Sequence, residues 1–185
     1  MTGAARPSPG ILSIDGFTWR QAIPDDALTL ETLAARDGNR TLFNLPESED
    51  EFSARVGQPG FRRAMLCFHG RVAVGAAATT MRDQRSLNLQ LICFFKQPER
   101  AVKPLAAYVR HLFWSAPLHR VYVQLPLVAG ATSYVHLLTG AGFQHEGVVR
   151  GHGFIHGRPR DVAVIGLLRR DFEAWCQENE LRLAL

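Results

Sequence analysis

Three segments of β-prone residues follow one another between residues 62 and 95, and only short turns separate them. Their sequences are RRAMLCFH (62–69), VAVGAAATTM (72–81) and SLNLQLICFF (86–95). The two-residue link Gly70-Arg71 is typical of a β-hairpin, because so short a connection joins antiparallel neighbours. The pattern therefore predicts a three-stranded antiparallel meander, which greatly restricts the folds open to the chain.

Helices and strands alternate after the meander. An amphipathic helix is predicted over 101–115, then a strand (120–127), a helix (131–143), a hairpin (147–168) and a final amphipathic helix. Before the meander, the sequence favours a strand over 17–23, a helix that begins near Pro24 and a short helix over 46–56. A meander that continues into βαβ units of the same sheet predicts an α+β fold.

The composition is that of one globular domain. We expect a disordered tail over residues 1–16 and a single domain over 17–185. The sequence has no run of 18 apolar residues, so no membrane span is expected, and its three widely spaced cysteines favour a reduced, cytoplasmic protein. The net charge of +4 favours anionic partners but is too small to indicate nucleic acid. Self-association as a homodimer is left open.

The C-terminal half carries the clearest family pattern. A helix ends in Gly142-Phe143, the pair Glu146-Gly147 follows, and a hairpin containing Asp161 leads into Gly166-Leu167-Leu168. With the element order, these residues resemble the GNAT superfamily of N-acyltransferases, in particular the branch that acetylates ribosomal-protein N-termini and small amines. The resemblance implies a GNAT-like mixed sheet of about seven strands, in which the fourth strand (86–95) splays from the fifth (120–127).

The resemblance also implies an acetyl-CoA or other acyl-CoA co-substrate. Its pantetheine arm would bind the backbone of the fourth strand, and its diphosphate would bind a loop of pattern Q/R-x-x-G-x-G/A before the next helix. In this chain Arg100 and Val102 replace the two small residues of that pattern, and Arg100 and Lys103 are the candidates to compensate by charge. The expected contacts are Cys93, Phe94, Phe95, Gln97, Arg100, Ala101, Val102 and Lys103.

Candidates for the chemistry are fewer. The resemblance suggests Tyr134 or Ser133 as the group that protonates the departing thiolate, although an aromatic residue at this position is also typical of a core. Asp83, His145 and Glu146 are candidate substrate-binding residues, with solvated surface charges as the alternative. The strand positions where the family often has a carboxylate base are Gln90 and Gln124, which cannot accept a proton. No metal site is predicted.

Three functions follow as hypotheses. The first is transfer of an acetyl or other acyl group, by direct attack, to a primary amine of a small metabolite or a peptide N-terminus. The second is a non-catalytic GNAT-like protein that binds a ligand or partner, which the altered loop favours. The third is a GNAT-fold transferase that uses another donor, such as aminoacyl-tRNA.

Overall fold

The computed structural model of the chain describes residues 12–35, 39, 64–83 and 87–179. Its strands are β1 (Leu12–Ile14), β2 (Phe17–Gln21), β3 (Met65–His69), β4 (Val72–Asp83), β5 (Asn88–Phe95), β6 (Arg120–Pro126), β7 (Gln144–Ile155) and β8 (Arg158–Leu168). Its helices are α1 (Ala27–Ala34), α2 (Val102–Ser115), α3 (Ala131–Gly140) and α4 (Arg169–Glu178), and short 3₁₀ turns precede α1 and α2. None of these helices is long and apolar enough to cross a membrane.

All eight strands belong to one mixed sheet, so the predicted α+β class is confirmed. The order is β1-β2-β3-β4-β5-β6-β8-β7, and every neighbouring pair is antiparallel except β5 and β6. The predicted meander corresponds to β3, β4 and β5. The helix predicted over 46–56 lies outside the described residues.

The eighth strand comes from the region predicted to be a disordered tail. Residues 12–14 form β1, which pairs with β2 through a turn at Asp15 and Gly16. Both turn residues have positive φ, 47° and 79°, as a tight two-residue hairpin requires. The prediction of disorder is therefore wrong for residues 12–16, because an Asp-Gly turn lets even three residues pair with the sheet edge.

Trp19 anchors α2 to the sheet. Its side chain is fully buried, and its Nε1–H donates to the carbonyl of Pro104 in the first turn of α2 at 2.9 Å. The indole stacks on Tyr108 of α2, with centroids 4.7 Å apart, and meets the edge of Phe95 of β5 at 6.0 Å. One residue thus fixes the start of α2 relative to the end of β5.

A second polar anchor lies where β2 meets α1. The carboxylate of Asp26 accepts two hydrogen bonds from Arg20, at 2.6 and 2.7 Å, and one from the N–H of Ile23 at 2.9 Å. Burial alone would raise the pKa of Asp26, but these hydrogen bonds and the charge of Arg20 outweigh it and lower the pKa. The carboxylate therefore stays charged at neutral pH and holds the start of α1 against the sheet.

Candidate functional site

The parallel pair β5–β6 opens into a gap. The strands pair only at Asn88–Arg120, Leu89–Val121 and Gln90–Tyr122. Beyond these residues β5 continues to Phe95 alongside β4, and β6 continues to Pro126 alongside β8. The predicted splay is confirmed, and we call the space between the diverging strands the splay gap.

The hydrogen-bond alternation of β4 and β5 shows which backbone groups face this gap. The N–H of Lys96 donates to the carbonyl of Val74 at 2.8 Å, so alternate residues of β5, including Phe94, use their backbone groups on β4. The intervening residues direct theirs to the opposite side. The carbonyl of Leu91 and both backbone groups of Cys93 therefore face the gap, beyond the last pair with β6. Among the predicted contacts, Cys93 and Phe95 thus turn their backbone groups toward the gap, and Phe94 turns its own toward β4.

Tyr134 of α3 closes the far end of the gap. Its side chain is 2% exposed, and its hydroxyl accepts the N–H of Phe95 at 3.1 Å. The same hydroxyl donates to Oδ1 of Asn39 at 2.6 Å, and Nδ2 of Asn39 donates to the carbonyl of Leu33 at 3.1 Å. Asn39 was missed in the sequence because it lies 95 positions from Tyr134, and no local pattern marks such a contact. Ser133, the other predicted proton donor, is exposed.

The loop after β5 uses its own backbone donors. Pro98–Arg100 form a 3₁₀ turn, in which the N–H of Arg100 donates to Gln97 and that of Ala101 donates to Pro98, at 3.1 and 3.0 Å. Val102 opens α2 and lies against α3: a Cβ placed on Gly140 would be 3.1 Å from its Cγ2. In the predicted phosphate loop, two N–H groups are thus used in local hydrogen bonds, and the side chain of Val102 packs between two helices.

The cations around this loop differ in their surroundings. Nζ of Lys103 pairs with Asp15 at 2.8 Å, on a side where both side chains are more than half exposed. Lys96 and Arg100 have no carboxylate partner among the described residues. With Gln97 they line a cavity of about 320 Å³ at the end of β5, whose other wall includes Phe17, His69 and Val74 of β2, β3 and β4. The predicted charge compensation at Arg100 is therefore geometrically available, whereas Lys103 is directed elsewhere.

A polar cluster lies at the narrow end of the gap, where β5 and β6 still pair. Nε2 of Gln90 donates to Oε1 of Gln124 at 3.3 Å, which bridges β5 and β6. Arg120 of β6 binds both carboxylate oxygens of Glu146, which reaches it from β7 across Gly166 of β8. Of the predicted substrate-binding residues, Glu146 is thus held in an ion pair close to the splay.

The other two candidates take no part in that ion pair. His145 is exposed on β7, where it pairs in register with Ile165. The backbone of Asp83 lies in β4 opposite Asn88, and its side chain is outside the described part of the structure. Cys93 contributes its backbone rather than its thiol, since burial raises the pKa of the thiol to about 12. A thiol in that state is not a nucleophile at neutral pH.

Comparison with known proteins supports the fold. No protein-family model matches the chain, and no curated protein is detectably similar to it in sequence. Among solved structures, a spermidine N-acetyltransferase from Vibrio cholerae, in complex with CoA and spermine, superposes with a TM-score of 0.73 at 18% identity. The match covers 86% of this chain and 99% of that one.

Two further structures agree. A GNAT-family acetyltransferase from Bacillus anthracis has a TM-score of 0.73 at 11% identity and covers 86% of this chain and 98% of its own. An acetyltransferase from Salmonella typhimurium that modifies the N-terminal serine of ribosomal protein L7/L12 has a TM-score of 0.70 at 14% identity. The match covers 84% of this chain and 96% of that one. The chain therefore has the fold of the GNAT acetyltransferases.

Proposed function

We propose that the protein transfers an acyl group from acyl-CoA to an amine. The observation that carries this proposal is the splay gap, where Cys93 and Leu91 present backbone groups that β6 does not use. These groups suit the amides of a pantetheine arm, which can both donate and accept hydrogen bonds. The CoA and spermine in the Vibrio cholerae structure support a thioester donor and an amine acceptor.

The reaction needs little from side chains. Bound acyl-CoA supplies a thioester whose carbonyl carbon is open to attack by an amine. A bond forms from the amine nitrogen to that carbon, the carbon–sulfur bond breaks, and the amine loses a proton while the thiolate gains one. The chain's part is to align the donor along β5 and to exclude competing geometries, which alone can account for a large share of the acceleration.

The side chains that are available as a base indicate which kind of amine the site favours as acceptor. Gln90 and Gln124 cannot take a proton, and the carboxylate of Glu146 is held by Arg120. With no free base among these described groups, the amine must arrive neutral. At pH 7.5 about a third of a peptide α-amine is neutral, against about one in a thousand for an alkylamine with the pKa of lysine. A peptide N-terminus, or another amine of low pKa, is the acceptor that this site favours.

The test is acetyl transfer from acetyl-CoA to a short peptide and to spermidine between pH 6.5 and 10. We expect kcat/KM for the peptide to level off at about pH 8, the pKa of its α-amine, and kcat/KM for spermidine to keep rising up to pH 10. The Glu146→Gln variant should keep both profiles. An inflection shared by both acceptors and abolished by Glu146→Gln would instead identify Glu146 as a base. Donor binding without transfer to any amine would support the non-catalytic alternative.

A further inference from the structure

The diphosphate-binding part of a CoA site is poorly developed here, although the pantetheine part is intact. Pro98 has no N–H, and the N–H groups of Arg100 and Ala101 already donate within the 3₁₀ turn. Pro104 also has no N–H, so of the four N–H groups at the start of α2 those of Val102 and Lys103 are left for an anion. A diphosphate at this loop would therefore find about half of the backbone donors that a helix start normally offers.

Packing and hydrogen bonds within the protein also reduce the room and the donors that a diphosphate would find beside this loop. Val102 fills the contact between the start of α2 and Gly140 at the end of α3. The last gap-facing N–H of β5, that of Phe95, is taken by the hydroxyl of Tyr134. Protein groups thus occupy the places next to the loop, while Leu91 and Cys93 stay available further along the strand.

The charges also suit a small anion. CoA carries a diphosphate and a 3′-phosphate, whereas 4′-phosphopantetheine carries a single phosphate. Lys96 and Arg100 are the loop cations without a carboxylate partner in the described ranges, Glu99 between them is negative, and Lys103 is directed to Asp15. Two cations beside one carboxylate match one phosphate better than three.

Resting on the proposed function, we infer that this protein recognises the 4′-phosphopantetheine arm of its donor and makes little use of the adenosine 3′-phosphate and second phosphate of CoA. Arg100 contacts the single phosphate, and the backbone of Cys93 contacts the arm. Thioesters on this arm occur both in acyl-CoA and on carrier proteins, so either could supply the acyl group.

Calorimetric titrations of the full chain with CoA, 4′-phosphopantetheine and pantetheine test the inference without any acceptor. We expect CoA and 4′-phosphopantetheine to bind within about tenfold of each other. Arg100→Ala should weaken the binding of 4′-phosphopantetheine by about tenfold or more and leave the binding of pantetheine unchanged. The matched control Arg158→Ala, at an exposed position at the start of β8, should change the binding of neither ligand.

Binding of CoA that is more than about tenfold tighter than that of 4′-phosphopantetheine would overturn the inference and leave the proposed function standing. If Arg100→Ala weakened the binding of 4′-phosphopantetheine and of pantetheine equally, the inference would also be overturned, because the effect would then be structural. If no pantetheine compound binds, the proposed function itself fails. A carrier protein bearing the arm will compete with 4′-phosphopantetheine if the donor is protein-borne, and will not compete if CoA is the donor.

Discussion

Replacing Trp19 by alanine should lower the free energy of unfolding by about 3–5 kcal/mol, the range for removal of a large buried aromatic side chain. The indole is fully buried, stacks on Tyr108 and donates to the carbonyl of Pro104. Its loss would leave a cavity under α2 and would remove the hydrogen bond that ties the first turn of that helix to β2. Urea denaturation followed by circular dichroism measures the change.

Two controls separate packing from the hydrogen bond. Trp19→Phe keeps a ring but removes the Nε1–H, and it should lower stability by about 1–3 kcal/mol. Trp114→Ala removes the same side chain type where it is 66% exposed, and it should change stability by less than about 0.5 kcal/mol. Equal losses for Trp19→Ala and Trp114→Ala would show that Trp19 does not anchor α2.

Removing the hydroxyl of Tyr134 should lower the free energy of unfolding by about 1–3 kcal/mol, because Tyr134→Phe leaves the N–H of Phe95 and Oδ1 of Asn39 buried without this partner. We expect kcat to change by less than about threefold. The hydroxyl lies beside Phe95, five residues or about 16 Å along the strand from Gln90, where the β5–β6 pairing ends. In the proposed arrangement the donor's phosphate lies at Arg100 and its arm runs along β5 past Cys93, which directs the thioester toward Gln90. At that distance the hydroxyl positions β5 and does not reach the thioester.

The same variant tests the catalytic role that the sequence suggests for Tyr134. A proton donor would show the reverse result, a fall in kcat of about 100-fold or more with stability nearly unchanged. Ser133→Ala is the matched control, because Ser133 precedes Tyr134 and is exposed. It should alter neither stability nor kcat by a measurable amount.

Local patterns predicted most of the sheet and helices because their periodicity is set by which face is buried. The meander and α2 have that periodicity, and so their limits were predicted within a few residues. β1 was missed although Asp15-Gly16 is a good hairpin signal, since the three residues before it are too few to show alternation. The Gly142-Phe143 and Glu146-Gly147 pairs identified the fold correctly.

The site was less accessible to sequence reasoning, because its parts meet only in three dimensions. The missing loop glycines were visible, but the use of the Arg100 and Ala101 N–H groups within a 3₁₀ turn was not. Glu146 could be proposed as a surface charge or a substrate contact. Its ion pair with Arg120 depends on Gly166, which leaves room for the carboxylate between the strands.

The central claim is that the splay gap binds the donor through the backbone of β5. The most direct measurement is the amide signal of Cys93 in ¹H–¹⁵N spectra of the full-length protein titrated with acetyl-CoA. The claim predicts a saturable downfield shift of the Cys93 amide proton, as a new hydrogen bond produces, with a smaller change at Phe94, whose backbone belongs to the ladder with β4. Saturation of the protein with acetyl-CoA while the Cys93 amide stays in place would contradict it.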